Sequence, residues 1–119
     1  MGNFRDLLAW QAAHELAVEV FRITAGWPAV ERQGLVAQVR RAALSIPANI
    51  AEGNMRLGAR EFRRFLDIAW GSLAELEYAL EFAQAIGIAS PAERQRLAPL
   101  ARRTGQLTYR LLRRISTHH

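Results

Sequence analysis

The sequence has no cysteine and no lysine. Without cysteine there is no disulfide, no thiolate metal site and no cysteine nucleophile. All sixteen basic residues are arginine. No apolar run approaches the about 20 residues that a membrane span needs. The opening M-G-N-F-R-D has no signal-peptide apolar region, so the expectation is a soluble cytoplasmic protein with no membrane partner. There is no strand signal, no internal repeat and no low-complexity segment. His14 is the only internal histidine, and the Glu-x-x-His spacing of di-iron bundles does not occur. No metal and no cofactor are expected on these grounds.

What is there suits one domain spanning residues 1–119. Half the residues are hydrophobic, enough for a globular chain that buries roughly two thirds of its unfolded surface. The stretch 38–53, Q-V-R-R-A-A-L-S-I-P-A-N-I-A-E-G, organises the rest. Leu35, Val39, Ala43, Ile46 and Ile50 form an i, i+3/i+4 stripe, the mark of a helix with one buried face. Gln38, Ser45, Asn49 and Glu52 form a second, polar line on the same helix. Pro47 lies between them and predicts a bend.

The same spacing argument gives helices over about 6–25, 31–52, 59–86 and 90–116. In the first, Trp10, Ala13, Ala17, Val20 and Thr24 make the apolar line, with Asp6 as the expected N-cap and Gly26 as the stop. In the second, Gly53 and Asn54 are the expected stop. In the third, the line runs from Phe62 through Phe65, Leu66, Ala69, Leu73, Leu76 and Leu80 to Ala83. Trp70, Ala74 and Phe82 widen that arc, so the helix should face more than one neighbour. Gly58 is its expected N-cap, Glu61 half of a capping box, and Gly87 its stop. In the fourth, Ser90-Pro91-Ala92-Glu93 is a full capping box with proline at the first helical position. Its stripe is Leu97, Leu100, Thr104, Leu107, Leu111 and Ile115, with a kink or break expected at Pro99 and Gly105. Four helices with short links imply an all-α, up-down-up-down antiparallel four-helix bundle.

The net charge of +5 is unevenly spread. Residues 1–30 carry −1, 31–64 carry +4, 65–89 carry −4 and 90–119 carry +6. Such blocks suit complementary surfaces within the protein or between copies, and give an anionic partner two places to land.

Several motifs together resemble one family. They are F-R-D-L-L-A-W-Q at 4–11, W-P-A-V-E at 27–31, the central 38–53 stretch, F-R-R-F-L-D-I-A-W-G-S-L-A-E-L-E at 62–77 and I-G-I at 86–88. The chain resembles the four-helix-bundle proteins encoded by 23S rRNA intervening sequences. Their superfamily includes the accessory variability determinant proteins of diversity-generating retroelements. The resemblance covers about residues 4–88 and implies a homopentameric barrel with no known enzymatic activity. The retroelement relatives bind nucleic acid and a reverse transcriptase through a basic surface, which the resemblance implies as partners here.

The candidate nucleic-acid-binding residues fall in two clusters. One is Arg56, Arg60, Arg63 and Arg64, with Arg40 and Arg41 on the neighbouring helix. The other is Arg94, Arg96, Arg102, Arg103, Arg110, Arg113 and Arg114 on the fourth helix. Each guanidinium offers phosphate a planar fork, and no base-reading element accompanies them. The alternative is a scaffold whose charge blocks serve self-assembly and a protein partner. Gln38, Ser45, Asn49 and Glu52, with Ser72 and Glu75 on the third helix, form a polar seam expected to be a buried hydrogen-bond network fixing helix register or a subunit contact. Glu52 and Glu75 as an acid–base pair is the remaining, distant reading. Trp10, Trp27, Trp70 and His14 are expected to serve packing.

Overall fold

A computed structural model describes residues 2–117; His118 and His119, to which the sequence assigns no role, lie outside them. The fold is all-α, with four long helices and no strand among the described residues: α1 Leu8–Thr24, α2 Ala37–Met55, α3 Ala59–Ala85 and α4 Pro91–Thr117. The molecule measures 47 × 24 × 20 Å. α2 and α3 share the most extensive packing; α1 packs on α2 and α4, and α3 packs on α4.

The helices bury the stripes that the spacing predicts. Leu16 and Val20 of α1, Val39, Ile46 and Ile50 of α2, Leu66 and Leu76 of α3 and Leu97 of α4 are all but sealed from solvent. Each such side chain contributes about 1.5–3 kcal/mol by leaving water. Thr104 and Thr108 complete the α4 stripe. Thr104 Oγ1 donates back to Leu100 O at 2.8 Å, whereas Thr108 Oγ1 has no partner among the described residues.

The helix ends differ from expectation in instructive ways. Asp6 is not the N-cap of α1. It closes a 3-10 turn, Phe4–Asp6, whose cap is Asn3; Asn3 Oδ1 accepts from Arg5 N at 2.9 Å. α1 itself starts at Leu8 with no side-chain cap. α2 is entered through a 3-10 turn, Ala29–Glu31, and a π-helical turn, Arg32–Val36. Gly53 and Asn54 do not stop it. The helix runs on to Met55, Gly53 is buried against α3, and Asn54 Nδ2 donates to Gly2 O at 2.8 Å. The reversal falls instead to Gly58, whose φ of 92° only glycine adopts readily. Glu61 does not complete a capping box and pairs with Arg64 instead. At the start of α4 the capping box is present: Ser90 N donates to Glu93 Oε1 at 3.0 Å and Glu93 N to Ser90 Oγ at 3.1 Å. Neither Pro47 in α2 nor Pro99 and Gly105 in α4 breaks its helix.

The ends of the helices are tied in pairs. Arg40 of α2 reaches Thr24 at the end of α1. Trp27, just after α1, donates through Nε1 to Glu93 in the first turn of α4 at 3.2 Å. Trp70, Ala74 and Phe82, expected to widen the buried arc of α3, are instead exposed, Trp70 at 42% beside Tyr109 of α4 and Phe82 at 44% in a groove with Gln38 and Arg41 of α2, and no further helix among the described residues covers them.

Candidate nucleic-acid interface

α4 carries seven arginines against one glutamate, a net +6. At 100° per residue, Arg96, Arg103, Arg110 and Arg114 fall on one flank of the buried stripe, Arg94 on the other, and Arg102 and Arg113 on the outer face. Arg96, Arg103 and Arg110 recur every seventh residue, about 10.5 Å apart, and Arg114 follows one turn later. This row lies on the α1 side. Arg96 Nε sits 3.5 Å from Glu19 Oε1. Arg110 and Arg114 line a cleft with Leu7, Leu8 and Ala9 at the uncapped amino end of α1. The dipole of that helix end adds positive potential beside the two guanidinium groups, which the Asp6 carboxylate in the same cleft offsets.

Arg94 lies toward α3, and Arg102 and Arg113 lie on the outer face. Arg94 Nη1 donates to Gln84 Oε1 at 2.9 Å. Arg113 Nη1 donates to the Tyr109 hydroxyl at 3.4 Å. Arg102 shares a cleft with Trp70 and Glu77. Tyr109 is half exposed, and its ring centroid is 5.9 Å from that of Trp70. This exposed aromatic pair among arginines is a feature that the sequence reading missed. Its signal was the spacing of Tyr109, seven residues after Arg102 and four before Arg113. Arg102, Arg103 and Arg110 are exposed and make no hydrogen bond or ion pair among the described residues.

The other arginine cluster does not come together as expected. Arg40 and Arg41 stand sixteen and fifteen residues before Arg56 on one helix, roughly 24 Å away. Arg40 is half-buried and structural. Its Nε donates to Thr24 Oγ1 at 2.8 Å, its Nη2 donates to Phe21 O at 3.0 Å, and its guanidinium lies 4.6 Å from the Phe21 ring centre. Arg41 Nη1 donates to Gln38 Oε1 at 3.1 Å. Arg56 pairs with Glu52 at 2.6 Å, Arg64 with Glu61 at 3.2 Å, and both lie over the Phe65 ring. The Arg64 hydrogen bond, aided by the positive charges of Arg64, Arg56 and Arg60, holds the Glu61 carboxyl below the usual carboxylate range. Arg60 and Arg63 remain exposed, with no hydrogen bond or ion pair among the described residues.

The polar seam divides. Ser45 Oγ and Ser72 Oγ are 2.8 Å apart, and Asn49 Nδ2 donates to Ser45 O and Oγ at 2.8 and 2.9 Å. These three join α2 to α3. Gln38, Glu52 and Glu75 are exposed and stand outside that network, so the six do not form one buried unit. Glu75 borders a groove with Gln38 and Arg41. Glu52 is fourteen residues beyond Gln38 along α2, about 21 Å, so the two carboxylates are not brought together as an acid–base pair. No group of three His, Asp or Glu among the described residues is placed to hold a metal ion. No helix among them is long and apolar enough to cross a membrane.

Trp27 is buried, as packing requires, and Trp10 stacks on His14 with centroids 4.8 Å apart. Trp70 departs from the packing expectation by its exposure.

A family model described as 23S rRNA-intervening sequence protein matches residues 5–110. Among solved structures, the chain is similar to a crystallised protein of unknown function from the S23 ribosomal protein family of Bacteroides thetaiotaomicron. The TM-score is 0.79 at 21% identity, over 87% of this chain and 97% of that one. No curated protein matches.

Proposed function

This chain belongs to the 23S rRNA-intervening sequence protein family, and from that premise we propose a non-enzymatic, cytoplasmic homo-oligomer that binds RNA or DNA through arginine surfaces without reading base sequence. We take each subunit as an up-down-up-down antiparallel bundle. The tie of Arg40 to Thr24 and that of Trp27 to Glu93 support this course. The number of copies, five, follows the sequence resemblance to the barrel-forming relatives.

The observation that carries the reading is α4: a net +6 helix whose Arg102, Arg103 and Arg110 point to solvent without partners among the described residues. Guanidinium groups already paired to carboxylates have little left to offer phosphate; these three retain their donors. Tyr109 and Trp70 add a face on which an unpaired base can stack. Oligomerisation multiplies the field and presents several such helices to one polyanion.

The test is binding of purified protein to labelled structured RNA and duplex DNA across a salt titration. Micromolar or tighter binding with a steep negative log–log slope is expected. Absence of binding at low salt ends the reading.

A second reading keeps one observation in its favour. Asp67, Glu75, Glu77 and Glu81 of α3 make no ion pair among the described residues. A scaffold that recruits a basic protein partner, of the kind a reverse transcriptase presents, would use them. Reversing the α4 arginines to glutamate separates the two readings. Loss of nucleic-acid binding with assembly intact supports the first.

A further inference from the structure

We infer that the outer face of α2 and α3 is where a second copy of this chain seats. This rests on the homo-oligomeric reading above and adds to it the surface and its composition. α2 turns Leu44 and Met55 to solvent, and α3 turns Ile68, Tyr78 and Phe82, all between 41% and 66% exposed. Helical spacing puts Leu44, Ala48 and Met55 on one line of α2, and Ile68, Glu75 and Phe82, seven residues apart, on one line of α3. The Ser45–Ser72 hydrogen bond joins the two helices, so the face is continuous across them. Exposed apolar groups gathered this way mark an association surface, where scattered ones need no explanation.

Charge selects the occupant. The face and its lower end carry Arg41, Arg56, Arg60, Arg63 and Arg64 against Glu52, Glu61, Asp67 and Glu75, a net of +1 against the +6 of α4. Two of these arginines are paired to two of these glutamates and Arg41 to Gln38. A polyanion finds the denser positive charge on α4. In a ring of five this face meets a different face of the next copy, and being nearly neutral it raises little like-charge barrier to either sign, whereas two α4 helices would repel each other. Side chains already bonded to one another also give up less on desolvation than free charges.

The size fits. α2 has 19 residues and α3 has 27, about 28 and 40 Å long. Side by side they present a strip about 20 Å wide, roughly 600–800 Å². A standard stable interface takes about 800 Å² per partner.

The experiment uses the full chain. Ala48→Arg on α2 and Tyr78→Arg on α3 change exposed helical positions, so both variants fold, which far-UV circular dichroism verifies. In sedimentation velocity at 10–50 micromolar (about the range where a weak interface is still formed), the wild type is expected to run as an oligomer and each variant as a monomer. Because the chain has no native cysteine, a maleimide gives a second readout without destabilising assembly. Ala48→Cys should label at least about tenfold more slowly in the oligomer than Arg103→Cys, since a buried thiol reacts only in the dissociated fraction. An oligomeric wild type whose two arginine variants keep the same stoichiometry, or whose two thiols label at equal rates, overturns this face and leaves homo-oligomerisation standing. A monomeric wild type removes both.

Discussion

A Cβ added to Gly53 would lie 2.8 Å from Phe65 Cβ and 2.9 Å from Phe62 Cδ1. The absence of a side chain on α2 is therefore what lets α3 approach at this level. In an exposed helix interior, replacing glycine by alanine gains roughly 0.5–1 kcal/mol through backbone entropy. Here the obstructing atom is a Cβ fixed to its own helix, so overpacking wins at about 1–3 kcal/mol. Gly53→Ala should lower stability by about 1 kcal/mol or more. Gly71→Ala, where nothing stands within 4 Å, should raise the stability of the subunit. Urea denaturation at fixed protein concentration measures both, and a stabilised Gly53→Ala would refute the packing account.

Glu93 serves two elements at once. Its Oε1 accepts from Ser90 N at 3.0 Å and from Trp27 Nε1 at 3.2 Å. Glu93→Ala should cost about 1–2 kcal/mol, the value of a helix cap plus a half-buried hydrogen bond. Glu93→Gln keeps an acceptor oxygen and should cost less than half of that. Equal losses in chemical denaturation would show that charge, not hydrogen bonding, holds this corner.

The buried stripes were legible because burial on one side of a helix writes itself into the sequence with a 3.6 period. Val39, Ile46 and Ile50, or Leu66 and Leu76, needed no knowledge of their partners. What the sequence hid were relations between helices. Gly53 followed by Asn54 reads as a stop, and only the presence of Phe62 and Phe65 opposite makes it a packing position. Arg40 reads as one more surface cation, because nothing local says that Thr24 and Phe21 O stand across from it. Trp70 and Phe82 read as core, because hydrophobicity signals a wish for burial without saying whether this chain supplies the cover. On α4 the arginines were legible as a set, but which of them keep free donors depended on Glu19, Gln84 and Tyr109.

Glu61 gives a pH signature. Its depressed pKa comes first from the Arg64 hydrogen bond, opposed in part by desolvation and aided by the charges of Arg64, Arg56 and Arg60. A carboxyl with a folded pKa below its unfolded value contributes stability that is fully present above the unfolded pKa. The contribution is lost as pH falls through the folded one. The pair is solvent-exposed, so the stability effect is small and the titration itself is the better readout. Carboxyl-resolved NMR should place Glu61 below the ordinary range, and Arg64→Ala should move it upward. An unchanged Glu61 titration in Arg64→Ala would refute the assignment.

The two kinds of arginine should separate cleanly in a paired measurement. Arg40 spends its donors on Thr24 Oγ1 and Phe21 O and rests on the Phe21 ring. Arg40→Ala removes two hydrogen bonds and a cation–π contact and leaves Thr24 without that partner, so it should cost about 1–3 kcal/mol of stability. Its effect on RNA affinity should be less than about twofold, because its Nε and Nη2 are already bonded to Thr24 and Phe21 and the side chain is half-buried. Arg103→Glu with Arg110→Glu breaks no bond among the described residues, so stability should change by less than about 0.5 kcal/mol. Each lost phosphate contact reduces the log–log salt slope by about 0.7–0.9. The double variant should therefore flatten the slope by about 1.5 per subunit engaged and weaken binding at least tenfold at low salt. If Arg40→Ala weakened RNA binding as much as the double variant while the fold held, α4 would lose its claim to be the phosphate-binding face.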